Sequence, residues 1–272
     1  MGEIGMIFND ILVRPMITVL LAIYHGLVLL HVPYTLGFSI ILLTIVIRFL
    51  LYPFVHSQLH ASHKMQKINP HIAKLKEKHK GDSRRIQEET MKLYKEHGIN
   101  PVAGCLPLLI QLPLIWALYS VLREVVSANP HTLLNHVNQA TYIASLRLMQ
   151  PWDTSFFGIP LGKTPSVLLA SIPLIVLVPL ITGALQFVQS KMMFQKPQAP
   201  VQKQEKKDKS TEESMSEAFQ TQSMYILPIM IGFFSYTFPI GLSLYWNTFT
   251  IFGILQQYLL LRTLKKREQT KK

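Results

Sequence analysis

Charge is what this sequence has little of: 15% of its 272 residues are Asp, Glu, Lys or Arg, against 49% hydrophobic. With a mean hydropathy of +0.25, that balance excludes an ordinary soluble domain. Its apolar side chains must face lipid as well as one another. Cysteine is nearly absent too. Cys105 stands alone in an apolar run, so no intramolecular disulfide can form and the redox compartment is not indicated; it reads as a small packing residue. The apolar runs hold no carboxylate except Glu124 at an end. This removes the paired carboxylates of intramembrane aspartyl proteolysis and the Asp or Glu of a proton relay. Ser171, Ser235 and Ser243 lie in apolar runs without a central His to serve as base, which argues against a serine hydrolase. No convincing small-residue cleavage site follows the apolar stretch Pro15 to Val32, so a cleaved signal is not expected. No internal repeat relates the two halves.

What is there in excess is positive charge, with a formal net of +12. Clustered Lys and Arg can neutralise phosphates, but their distribution suggests another role, and no direct nucleic-acid recognition is expected. Residues 61–100 hold ten of them, 191–221 hold six and 262–272 hold six, so three segments carry 22 of the 27. Each segment flanks an apolar run. That is the pattern of loops retained on the cytoplasmic side of a membrane, where anionic lipid favours Lys and Arg.

A bilayer core requires about 20 apolar residues as helix, because unpaired backbone groups in hydrocarbon are too costly for open structures. Runs at about 35–57, 103–125 and 165–190 meet that length, and Phe238-Pro239-Ile240-Gly241 splits a longer one into about 222–239 and 241–262. The expectation is an all-α integral membrane protein: a five-transmembrane-helix bundle with an N-terminal interfacial helix in residues 1–34, a membrane core over 35–265 and a basic tail at 266–272. Five spans put the N-terminus outside and the C-terminus in the cytoplasm. The outer segment 126–164 then holds only Arg147 and Lys163 as basic residues. Residues 15–32 could instead span, giving a sixth helix; Arg14, His25 and His31 interrupt the region, and an interfacial helix is preferred. In 61–100, Met65, Ile68, Ile72 and Leu75 recur at helical spacing, as do Ile86, Thr90, Leu93 and His97 after Gly81-Asp82-Ser83, which predicts a cytoplasmic helical hairpin. Residues 191–221 make a cytoplasmic loop, with 195–217 expected to be disordered. Pro107, Pro113, Pro173 and Pro179 should kink the second and third spans.

Arg48 is the informative residue. It stands within Ile40 to Phe54 with nothing acidic nearby, at an insertion cost of about 2.5–3.5 kcal/mol, and such a charge is usually directed to a protein interior or a watery cavity. Snorkelling to the interface is the alternative. Gln111, Gln186, Gln189, Asn247, Thr248, Gln256 and Gln257 could line the same groove, or each could be an interhelical hydrogen bond. His56, His60 and His63 share one helical face at metal-ligand spacing; the end of a helix at the interface explains them equally, and no metal is expected.

Three strings carry a resemblance over roughly residues 35–265. They are Arg48-Phe49-Leu50-Leu51-Tyr52-Pro53; Asn100-Pro101 through Gln111-Leu112-Pro113, followed by Ala117-Leu118-Tyr119; and Met224 through Pro228 to Phe238-Pro239-Ile240-Gly241-Leu242-Ser243-Leu244-Tyr245-Trp246. The sequence resembles the YidC-type membrane protein insertases and their mitochondrial oxidase-assembly and chloroplast relatives, in the compact form without a large extracytoplasmic domain. The resemblance implies a hydrophilic groove open to cytoplasm and lipid, in which Arg48 attracts acidic residues of an incoming segment. Gln111, Gln186, Gln189, Tyr245, Trp246, Asn247 and Gln256 would line it, and the third and fifth spans would form a greasy slide for the departing helix. The hairpin, with Lys74, Arg84, Arg85 and Glu88, would receive the substrate first. The implied partners are nascent membrane proteins and the lipid bilayer, and possible further ones are the ribosome and a Sec-type translocon. The implied location is the bacterial cytoplasmic membrane. No cofactor, metal or enzymatic step is implied. A channel or transporter with a polar intramembrane cavity is the alternative from another class.

Overall fold

The computed structural model describes residues 3–79, 82–98, 106–126, 130–193 and 222–269. Helix is its dominant element. At the N-terminus α1 (Glu3–Phe8) runs through a π-helical segment, Asn9–Val13, into α2 (Arg14–Leu29). A second π segment, Gln222–Ile226, leads into α10 (Leu227–Thr237). Proline accounts for both. Pro15 and Pro228 cannot donate to Ile11 and Met224, and the ring of each crowds that carbonyl, so the turn ahead of it widens.

Proline also sets the breaks. α3 (Thr35–Leu50) ends one residue before α4 (Tyr52–Lys78), where Pro53 sits in the first turn, and the two axes diverge by 60°. The run expected at 165–190 is divided as well. A short α8 (Pro165–Leu168) is followed by a 3-10 turn at Pro173–Val176 and then α9 (Leu177–Met193). The apolar helix therefore begins at Pro173 and not at residue 165, because Ile172, as the residue before a proline, is held out of the helical region. Pro173 starts the 3-10 turn, where its missing donor is not needed, and so does not kink a span as expected; Pro179 is the third residue of α9. Pro113 does lie inside α6 (Leu106–Val125). The split at Phe238-Pro239 separates α10 from α11 (Ile240–Gln269), a helix of 30 residues that continues past the expected boundaries at 262 and 265 into the basic tail.

Among the described residues, Gly5–Leu29 and Pro173–Met193 are long and apolar enough to cross a membrane, and Thr35–Leu50 with Tyr52–His60 qualifies as a bent pair. Leu112–Leu122 and Met224–Thr237 are shorter apolar helices. α11 has the length, but Asn247, Gln256 and Gln257 interrupt its apolar character. α5 (Ser83–Glu96) follows α4; His79 of the linker reaches Glu89 at 3.3 Å, and Asp82 caps α5 by accepting from the Arg85 amide at 3.0 Å. Of the loop expected at 191–221, residues 191–193 belong to α9, and the rest lies outside the described residues.

The N-terminal helix differs from the peripheral one expected. Val13, Ile17, Leu20 and Leu21 are buried in one core with Leu36 and Ile40 of α3, Leu118 and Leu122 of α6, Leu133 of α7 (Pro130–Ala140), Leu161, and Tyr245 of α11. Two of the polar residues that argued against a span are accommodated locally. Arg14 pairs with Asp10 at 3.0 Å, and His25 Nδ1 bonds the Leu21 carbonyl within its own turn.

The segment between α6 and α8, read from sequence only as poorly charged, ties helix ends together. The Trp152 indole donates to the Val125 carbonyl at the end of α6 (2.8 Å). The first amides of α11, Ile240 and Gly241, donate to Lys163 and Leu161 carbonyls at 3.0 and 2.9 Å, satisfying donors that a helix start leaves unpaired. A two-residue hairpin joins β1 (Ser155–Phe156) to β2 (Ile159–Pro160); Phe157 and Gly158 at its tip both have positive φ, the conformation such turns require. Phe156 packs its ring over Gly37 of α3, where any side chain would collide with it.

Candidate functional site

Arg48 lies in the last turn of α3, just ahead of the 60° bend, and its side chain is 3% exposed. It does not snorkel outward. Its partners come from α11: Nη1 donates to Gln256 Oε1 at 3.3 Å, Nη2 donates to the Phe249 carbonyl, and the guanidinium carbon stands 3.4 Å from the Phe249 ring centroid. A hydrogen-bonded cation over an aromatic face offsets part of the loss of water. Gly253 makes the approach possible. A Cβ there would stand 2.5 Å from Arg48 Nη2 and 2.5 Å from Gln189 Nε2. Phe249, Gly253 and Gln256 fall at i, i+4 and i+7, one face of α11.

The other expected residues divide. Trp246 donates through Nε1 to Gln186 Oε1 at 3.1 Å, joining α11 to α9. Tyr245 is fully buried, with its ring centroid 5.6 Å from that of Phe249. Asn247 Oδ1, Thr250 Oγ1, Gln256 Nε2 and Arg48 Nε are buried without a hydrogen-bond partner among the described residues. Such atoms are costly in a dry bundle, and water or another polar group would satisfy them. Thr248 is satisfied within its own helix, donating to the Leu244 carbonyl. Gln111 falls on α6, its side chain outside the described residues.

Away from Arg48, Lys74 is exposed on α4. On α5, Arg84 and Glu88 face each other at 3.4 Å, and Arg85 stands 3.8 Å from Glu89. These are i, i+4 pairs on a solvated helix, and the structure does not bring them to Arg48. His56 and His60 meet edge to face, ring centroids 4.5 Å apart, with Tyr52 next along the stack; the His63 side chain lies outside the described residues.

Three participants escaped the sequence reading. Phe249 is one apolar residue among many until its carbonyl and ring are seen around Arg48, and Gly253 reads as an ordinary helix glycine. The third is a chain of hydroxyls: Ser235 donates to Thr182 at 3.2 Å and lies 2.8 Å from Ser243, linking α9, α10 and α11 in their buried interior. Gly183 and Gly232 let α9 and α10 close on each other; a Cβ on Gly232 would lie 3.3 Å from the Pro179 carbonyl.

Comparison with known proteins gives one consistent answer. The family model described as 60Kd inner membrane protein matches residues 28–268. Membrane protein insertase YidC of Fusobacterium nucleatum is 31% identical over 226 residues, 83% of this chain and 86% of that protein. The protein of the same name from Helicobacter pylori is 29% identical over 233 residues, and Inner membrane protein ALBINO3, chloroplastic, of Arabidopsis thaliana is 33% identical over 243. The chain spans 34% of the length of the Helicobacter protein and 49% of the Arabidopsis one.

Proposed function

The chain belongs to the 60Kd inner membrane protein family, and from that premise we propose that it is a membrane protein insertase that holds an incoming polypeptide in a polar groove and releases it into lipid. The observation that carries this reading is Arg48, a buried cation partnered by neutral groups of α11, a helix that also carries orphaned polar atoms. Among the described residues no carboxylate pairs with Arg48, and a carboxylate in the translocated tail of a substrate would supply that counter-charge. The groove shortens the hydrocarbon path for the tail, while the apolar segment leaves into lipid, gaining about 25 cal/mol for each Å² withdrawn from water.

The proposed orientation places α4, α5 and the end of α11 in the cytoplasm and the N-terminus outside, which keeps the basic segments inside. α4 and α5 then meet the nascent chain first, and a ribosome or a Sec-type translocon is a candidate partner on that side. The names borne by the Fusobacterium, Helicobacter and Arabidopsis relatives support the insertase reading and the membrane location.

Reconstitution into liposomes tests it. A short single-spanning substrate with an acidic tail should become protected from external protease only when the protein is present. Arg48→Ala should lower that protection strongly, and Arg48→Lys should keep part of it. Solute leakage without substrate protection would favour a channel or transporter instead.

A further inference from the structure

Gln256 was expected to touch substrate, yet its carbonyl oxygen is already used, accepting from Arg48 Nη1. The Phe249 carbonyl takes Nη2, the Phe249 ring covers the guanidinium face, and Gly253 leaves the space for it. Both terminal nitrogens are therefore fixed by one face of α11. Arginine has five N–H groups in a planar fork; these two bonds use two of them, and of the three left the Nε–H is buried and without a partner among the described residues. A carboxylate can bind a guanidinium side-on through two parallel hydrogen bonds.

We propose that Phe249, Gly253 and Gln256 are a receptor for the Arg48 guanidinium: positioning residues that orient it so that its Nε–H side meets a carboxylate of the incoming polypeptide. This rests on the insertase reading above and assigns Gln256 to the arginine and not to the substrate. An arginine held by neutral acceptors keeps its full charge for the guest. A carboxylate at position 256 would consume that charge.

The experiment uses the full chain in proteoliposomes and two single-spanning substrates, alike except that the translocated tail carries two Asp residues or two Asn residues. The readout is the ratio of acidic-tail to neutral-tail insertion. Gln256→Met keeps the volume and removes the acceptor; acidic-tail insertion should fall more than neutral-tail insertion, so that the ratio drops about tenfold or more, the scale of one lost hydrogen bond to a charged group. Gln256→Glu should bring the ratio to one or below, because the new carboxylate pairs with Arg48 in place. Gln256 variants that lower both substrates equally would assign the residue a merely structural role and overturn the proposal. So would an unchanged ratio in both variants when Arg48→Ala abolishes it. If Arg48→Ala itself leaves the ratio intact, the electrostatic groove fails and the receptor with it.

Discussion

A guanidinium inside a helical bundle is tolerable only if its donors and its charge find partners, and here α11 supplies carbonyl, amide oxygen and ring within two turns. The fit leaves no spare room. Gly253→Ala should push Arg48 or Gln189 out of place, since the added carbon would stand at 2.5 Å from a nitrogen of each. Overpacking of this kind costs about 1–3 kcal/mol, to be seen as a lower melting temperature of the protein in detergent. At the other end of the bundle, Trp152→Phe keeps an aromatic ring but strips the donor from the Val125 carbonyl. Leaving that buried acceptor unpaired should cost about 1–3 kcal/mol, and a melt unchanged from the parent protein would show that the indole bond contributes nothing.

At the scale of elements, proline was the most legible residue and also the most misleading. The break at Phe238-Pro239 falls where the sequence puts it, because a proline followed by Ile-Gly can start a helix but not continue one. Pro173 was read as a kink because an apolar run continues through it; backbone geometry at Ile172 makes it a start. Arg48 could be singled out from sequence since a lone cation in an apolar run is unusual by itself. Phe249 could not, because its part is played by a main-chain carbonyl and a ring, neither of which differs in type from its neighbours. The α9 and α10 pair rests on Gly183 and Gly232, whose role depends on a meeting that sequence spacing does not reveal. Gly232→Val should wedge these helices apart, with a Cβ already 3.3 Å from the Pro179 carbonyl before its methyl groups are added. Cysteines placed on the facing turns of α9 and α10 should then cross-link more slowly than in the parent protein; equal rates would refute the close-packed contact.

Over the whole molecule, two apolar surfaces have different roles. One points outward: Leu180 and Ile181 of α9, Ile229 and Phe233 of α10, and Ile251 and Leu255 of α11 are exposed, a pattern that fits a lipid surround. α11, at about 1.5 Å per residue, is longer than the hydrocarbon layer of about 30 Å, so its basic end from Arg262 onward can extend past the membrane. The other surface points inward and includes α2, which sequence reasoning set apart because Arg14, His25 and His31 dominated its reading. Ile17, Leu20 and Leu21 are fully buried there. A helix resting on the membrane surface would lose little if those leucines were shortened. A wall of the common core would lose about 2–5 kcal/mol for each Leu→Ala. Leu20→Ala with Leu21→Ala should therefore lower the melting temperature of the whole protein in detergent well below that of Leu29→Ala, a control at a residue 79% exposed. Should the double variant melt with the control, the N-terminal helix would be peripheral after all, and the core would close without it.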